Sequence, residues 1–150
     1  MNRETPFILL VEDDPNDEEL TRMALQENHI LCDLVVVNDG ELALDYLFRR
    51  GMYADLDPNI LPKIVLLDLN LPKVDGIEVL RQIRADERTR IVPVVIFSSS
   101  KEEKDVETCF RLGANAFVRK PIDFTEFSEA LHQLGLFWIL WNLTPKRKAG

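Results

Sequence analysis

Five short runs in the 150-residue chain are apolar at every position: Phe7–Val11, Leu34–Val37, Ile64–Leu67, Val94–Phe97 and Ala116–Val118. A strand with one solvated face alternates apolar and polar residues, so unbroken runs suit strands covered on both faces. The segments between them carry a helical period instead. Leu20, Met23 and Ala24 fall on one face of the first, and Leu44, Leu47 and Phe48 on one face of the second. Ile77, Leu80 and Ile83 do the same in the third, and Val106, Cys109 and Phe110 in the fourth. Strands alternating with helices predict an α/β fold: one doubly wound, five-stranded parallel sheet with helices on both faces.

Local signals place the helix ends. Asp14 reads as an N-cap with Pro15 in the favoured first position. Asp39-Gly40 opens the second helix. Asp75 with Glu78, and Ser100 with Glu103, have capping-box spacing, and Gly113 reads as a C′ residue. Asp123 with Glu126 caps a fifth helix, in which Phe127, Leu131 and Leu134 share core spacing while Glu126, Glu129 and Gln133 face water. Residues 51–62, with Asp57-Pro58 and Pro62, read as a long loop. The fifth strand is short and is expected at a sheet edge.

A chain of this length can bury a sizeable core without staples. The expectation is one domain over 1–150, with a core of about 6–134 and a helical extension at 135–150. Cys32 and Cys109 have no metal-site or disulfide-framework spacing and read as small buried apolar residues in a reducing compartment. A net charge of −8 argues against nucleic acid or anionic lipid as partner, and Lys146-Arg147-Lys148 reads as a solubilising end. The N-terminus lacks an apolar signal core, and the most apolar stretch, Leu134–Leu143, is shorter than the about 20 residues that span a bilayer. A cytoplasmic protein without membrane contact is expected.

In open parallel sheets, ligands bind beyond the carboxyl ends of the strands. Glu12-Asp13-Asp14 follow the first run, Asp68 and Asn70 the third, Ser98-Ser99-Ser100 the fourth, and Arg119-Lys120-Pro121 the fifth. Packing Glu12, Asp13 and Asp68 together is costly in repulsion and desolvation unless a cation joins them. Hard oxygen donors around a small open site suit Mg²⁺. Beside such an ion, Asp68 is a credible nucleophile for phosphorus, Lys120 can neutralise phosphoryl oxygens, and Ser98 can donate to one. Each residue also has a plain structural role. Asp14 reads as a cap rather than a ligand, Asp68 alone would read as a cap, and Lys-Pro is a common loop dipeptide. Assigning Ser99 or Ser100 to the fourth helix cap leaves Ser98 as the free hydroxyl. It is the joint placement at one edge that points to phosphoryl chemistry.

Taken together, the segments Leu9–Asp14, Leu66–Pro72 with Asp75-Gly76, Pro93–Ser98 and Gly113–Pro121 resemble the receiver domains of bacterial two-component response regulators. The resemblance covers essentially 7–134 and implies a flavodoxin-like sheet of order 2-1-3-4-5. It implies phosphoryl transfer from a histidine kinase to Asp68, with self-catalysed acceptance and slow autodephosphorylation rather than enzymatic turnover. Matched position by position, it makes Glu12, Asp13 and Asp68 the Mg²⁺ carboxylates and Asn70 the donor of a backbone carbonyl. Ser98 becomes the switch hydroxyl, Phe117 the switch aromatic and Lys120 the phosphate-contacting lysine. A cis bond before Pro121 is also implied. Glu at 12, Ser at 98 and Phe at 117 are departures within the family's range. The long loop and an aromatic-rich C-terminal stretch are most similar to single-domain regulators that pair with cyanobacterial phytochromes, which implies a phytochrome-type kinase as partner and no output domain.

Other functions fit less well. Haloacid-dehalogenase-type phosphatases place a second Asp two residues after the nucleophile, where this chain has Asn70. A flavin carrier of similar fold would need a phosphate loop where Glu12-Asp13-Asp14 stand, and a degenerate binding module would have lost Asp68 or Lys120. The segment Leu134–Leu143 is apolar all round and carries Phe137, Trp138 and Trp141, residue types that anchor interfaces. A C2 homodimer through the last helix is therefore expected.

Overall fold

A computed structural model describes residues 7–30, 32–120 and 124–135. In chain order it contains β1 (Phe7–Val11), α1 (Pro15–Glu27), β2 (Asp33–Val37), α2 (Gly40–Phe48), a 3-10 turn (Gly51–Tyr53), β3 (Ile64–Asp68), α3 (Gly76–Ala85), β4 (Val94–Ser98), α4 (Glu103–Arg111), β5 (Ala116–Arg119) and α5 (Phe124–Gly135). All strand pairs are parallel, in the order β2-β1-β3-β4-β5. This is the expected doubly wound sheet, with β5 at an edge.

Side chains on a strand point alternately to its two faces, and the core divides accordingly. Leu9, Val11, Val65, Leu67, Val94 and Ile96 join one apolar layer with Leu44, Leu47, Val79, Leu80 and Ile83 of α2 and α3. Ile8, Leu10, Ile64, Leu66, Val95 and Phe97 join the other with Ala24 and Leu25 of α1 and Phe127 and Leu131 of α5. Every residue of β1, β3 and β4 is buried, whereas β2 and β5 are mostly half-exposed. The register sets Val11 beside Leu67, Asp68 beside Phe97 and Ser98 beside Arg119. Glu12, Asp68, Ser98 and Lys120 therefore emerge together at the carboxyl edge.

Three caps form as the sequence predicts: Asp14 accepts from the Asn16 N–H at 2.8 Å, Asp39 from Leu42 at 2.7 Å and Asp75 from Glu78 at 3.0 Å. The box at α3 is half made, because the Glu78 carboxylate accepts from Arg81 and Gln82. The fourth helix corrects the sequence reading. Its N-cap is Glu102, without a side-chain cap bond, so neither Ser99 nor Ser100 caps it. The Ser100 N–H donates to Ser98 Oγ at 3.1 Å, which holds Ser100 outside the helix while its hydroxyl donates to Asp105 Oδ2 at 2.5 Å.

Two stripe residues are also misplaced by the pattern. Met23 is 47% exposed and Phe110 is 49% exposed, while Thr21, Leu25 and Cys109 fill the buried faces of their helices. On α5, Phe127 and Leu131 are buried and Glu126, Glu129 and Gln133 are exposed, as expected. The Asp123 cap, the bond before Pro121, the Leu134 side chain and all but the first residue of the 135–150 extension lie outside the described residues. Loop 51–62 is tied down by Arg49, which donates to the carbonyls of Tyr46, Asp57 and Ile60. Among the described residues, no helix is long and apolar enough to cross a membrane.

Candidate functional site

Three central strands end in polar residues that a buried interior tolerates only at a boundary. Glu12 follows β1 and is 3% exposed, Asp68 ends β3 at 8%, and Ser98 ends β4 at 0%. Asp13, next along from Glu12, is exposed. Carboxylate oxygens of Glu12, Asp13 and Asp68 lie within 4.8 Å of one another. Glu12 and Asp68 border a cleft of about 300 Å³ whose walls include Asp14, Asp17, Asn70, Ser99, Lys120 and Phe127. Hard oxygen donors from three carboxylates, partly open to solvent, fit a small divalent cation such as Mg²⁺.

Lys120 enters from the end of β5, fixed there by its own N–H donating to the Ser98 carbonyl at 2.7 Å. Its ammonium donates to Glu12 Oε1 at 2.5 Å and to Asp17 Oδ2 at 2.9 Å, and stands 3.8 Å from Asp68 Oδ2. The other Glu12 oxygen accepts from the Asp14 N–H at 3.2 Å, and Asp68 Oδ1 accepts from the Asn70 N–H at 3.2 Å. Burial pushes the Glu12 carboxyl up to about 7, against the opposing pull of Lys120. Burial alone would lower the Lys120 ammonium, but its hydrogen bonds to Glu12 and Asp17 and the charge of Asp68 hold it above its ordinary range.

Gly76 allows the close approach of α3 to this edge. A Cβ there would lie 2.3 Å from the Asp68 carbonyl oxygen and 2.6 Å from Leu69 Cα, so any other residue would push the helix away from β3. The glycine N–H donates to the Leu69 carbonyl at 2.9 Å, which fixes the turn just after Asp68.

Glu12, Asp13, Asp68, Asn70 and Lys120, singled out in the sequence, gather at this edge. Ser98 is fully buried at the end of β4 and accepts from the Ser100 N–H, a contact that uses an oxygen lone pair and not its O–H. Ser99 lines the cleft instead, and the Asn70 side-chain amide donates to its hydroxyl at 3.5 Å. Phe117 is half-buried on β5 and packs against the layer shared with α2 and α3. The sequence reading missed Asp17. An acid in the first turn of a helix has an ordinary explanation in the helix dipole, and nothing local reveals its partner 103 residues away.

The response regulator receiver domain family matches residues 8–132. "Probable methanogenesis regulatory protein FilR2" of Methanothrix harundinacea is 35% identical over 147 residues, 97% of this chain and 92% of that protein. "Response regulator Rcp1" of Synechocystis is 34% identical over 132 residues, 88% of each. The crystal structure of the phosphorylated cyanobacterial phytochrome response regulator RcpA superposes with a TM-score of 0.85 at 34% identity, covering 95% of this chain and 99% of that one. The Mn²⁺-bound form of response regulator Rcp1 superposes with a TM-score of 0.83 at 32% identity, covering 93% and 99%. Relatives of this chain thus include one solved with a phosphoryl group and one solved with a divalent metal.

Proposed function

The chain belongs to the response regulator receiver family, and we propose that it accepts a phosphoryl group from a histidine kinase onto Asp68. The observation that carries this reading is the triad of carboxylates within 4.8 Å of one another, with Lys120 3.8 Å from Asp68. In the proposed step an Asp68 carboxylate oxygen attacks phosphorus. The new O–P bond forms as the donor's P–N bond breaks, and the imidazole leaves with the bonding pair. Glu12, Asp13, Asp68 and the Asn70 carbonyl would hold Mg²⁺, which neutralises charge on the phosphoryl oxygens. Lys120 keeps its proton and donates to one of those oxygens, and the Ser98 O–H donates to another. The protein is a signalling switch in this scheme: nothing turns over except slow hydrolysis of its own acyl phosphate.

The kinase we propose is a phytochrome-type light sensor, supported by the likeness to RcpA. A partner of another kind is the second reading, favoured by the likeness to FilR2 over almost the whole chain. We take 1–150 as one cytoplasmic receiver unit that forms a homodimer through the apolar stretch 134–143, a reading supported by the sequence alone. Sedimentation of the protein beside a Trp138→Glu, Trp141→Glu variant tests the dimer, which a wild type that stays monomeric at high concentration rules out.

Radiolabelled phosphotransfer tests the chemistry. Wild type is expected to take label from a cognate kinase or acetyl phosphate as a base-labile acyl phosphate, and EDTA to stop it. Asp68→Asn should take none, and label persisting there would overturn the assignment. Profiling the same reaction against phytochrome and non-phytochrome kinases separates the two partner readings.

A further inference from the structure

Asp17 has no role in the scheme above, yet it makes one of the two hydrogen bonds that set where the Lys120 ammonium sits. It stands in the first turn of α1, and its bond spans 103 residues and joins α1 to the end of β5. We propose that Asp17 is a positioning residue for phosphoryl acceptance, holding Lys120 so that it serves the incoming phosphoryl group without binding the nucleophile. This rests on Asp68 being the phosphoacceptor.

A lysine ammonium has three N–H donors and no acceptor. Glu12 Oε1 takes one at 2.5 Å and Asp17 Oδ2 another at 2.9 Å, while Asp68 Oδ2 stands at 3.8 Å, beyond hydrogen-bond range. One donor is thus left uncommitted, on a side chain that lines the cleft. During transfer the O–P bond forms at Asp68, the donor's leaving group departs with its electron pair, and the spare N–H of Lys120 meets a phosphoryl oxygen. No proton leaves the ammonium.

Without the Asp17 carboxylate, the carboxylate next within reach of the second donor is Asp68 itself, 3.8 Å away. A direct ammonium contact would occupy a lone pair of the nucleophile and compete with a cation at the same carboxylate. The Lys120 side chain is 12% exposed and Asp17 31%, so the pair is only partly screened by solvent. Glu18, the next residue on α1, bonds Arg22 one turn along and does not reach the cleft. That neighbour provides a control for loss of charge alone.

The test is a set of phosphorylation rates with acetyl phosphate, together with Mg²⁺ dissociation constants. Asp17→Asn and Asp17→Ala should slow phosphorylation by about tenfold and weaken Mg²⁺ binding severalfold. Asp17→Glu should recover much of both, and Glu18→Gln should match wild type. The deciding arm is a double-mutant cycle: in a Lys120→Met background, Asp17→Asn should have no further effect on rate. Circular dichroism melting of each variant identifies any that fail to fold, and Asp17→Asn carries the test if Asp17→Ala is one of them. Rates in Asp17→Asn equal to wild type, or an equal fall with and without Lys120, would overturn the proposal. A wild type that never takes label on Asp68 would instead overturn the function on which it rests.

Discussion

The three central strands and the two edge strands contribute to the site in different ways. β1, β3 and β4 are buried at every position, and their ends deliver Glu12, Asp68 and Ser98. β5 has no fully buried residue, and it delivers Lys120 and carries Phe117. A strand packed on both faces cannot shift without disturbing two apolar layers, whereas an edge strand is bonded on one side only. The acids and the hydroxyl are therefore fixed in place, and the counter-charge arrives on the element with the greater freedom. A switch needs that asymmetry: a rigid acceptor, and a responsive neighbour that reads its charge.

The largest effect should come from loosening the rigid half. Leu67 is fully buried in β3 one residue before Asp68, so Leu67→Ala should cost about 3 kcal/mol of stability through lost transfer energy and an unfilled cavity. Val35 is half-buried on the edge strand β2, and Val35→Ala should cost about 1 kcal/mol. Urea unfolding of the two variants measures both. Equal losses would break the contrast between centre and edge.

The same contrast explains what could be read without coordinates. Central strands are continuous apolar runs because both faces are covered, so Phe7–Val11 could be placed to the residue. Asp14, Asp39 and Asp75 could be placed as caps because the bond closes within three residues. What escaped depends on distant partners. Ser100 has the spacing of a cap, but its N–H is taken by Ser98 and its hydroxyl by Asp105, which delays α4 until Glu103. Phe110 fits a helical stripe, but Cys109 alone meets the core, and periodicity does not say where a helix's cover ends. The grouping of Glu12, Asp13 and Asp68 was legible from strand order. Lys120 was legible at the same edge, but its ion pair with Glu12 and the Asp17 that holds it were not.

A smaller effect should appear in the pH dependence of the metal-free protein. The folded state holds the Glu12 proton up to about 7, whereas an unperturbed glutamate releases it near 4.5. Between those values the folded chain binds more protons than the unfolded one, so stability falls as pH rises through this window and levels off above it. The loss should be on the order of 3 kcal/mol, and saturating Mg²⁺ should remove it by favouring the ionised carboxylate. Denaturant titrations across that range, with and without Mg²⁺, are the measurement. Metal-free stability that rises with pH would show that Lys120 from the edge strand neutralises the central acids completely.

The smallest effect separates crowding from metal binding. Repulsion among Glu12, Asp13 and Asp68 suggests that removing any one of them should stabilise the metal-free fold. The structure narrows that expectation, because Lys120 already contacts Glu12 and approaches Asp68. Asp13 is exposed and none of the three Lys120 ion pairs reaches it, so water screens its charge from the buried pair. Asp13→Asn should therefore change the melting stability of the metal-free protein by no more than about 0.5 kcal/mol. In Mg²⁺ the same substitution should remove most of the stabilisation that wild type gains, because one of the three hard donors is gone. Thermal melts in EDTA and in Mg²⁺ give both numbers from one pair of samples. A gain of 1 kcal/mol or more in EDTA would mean that the edge-strand lysine leaves the acidic cluster strained. An unchanged response to Mg²⁺ would mean that Asp13 is not a ligand, leaving Glu12 and Asp68 to hold the ion.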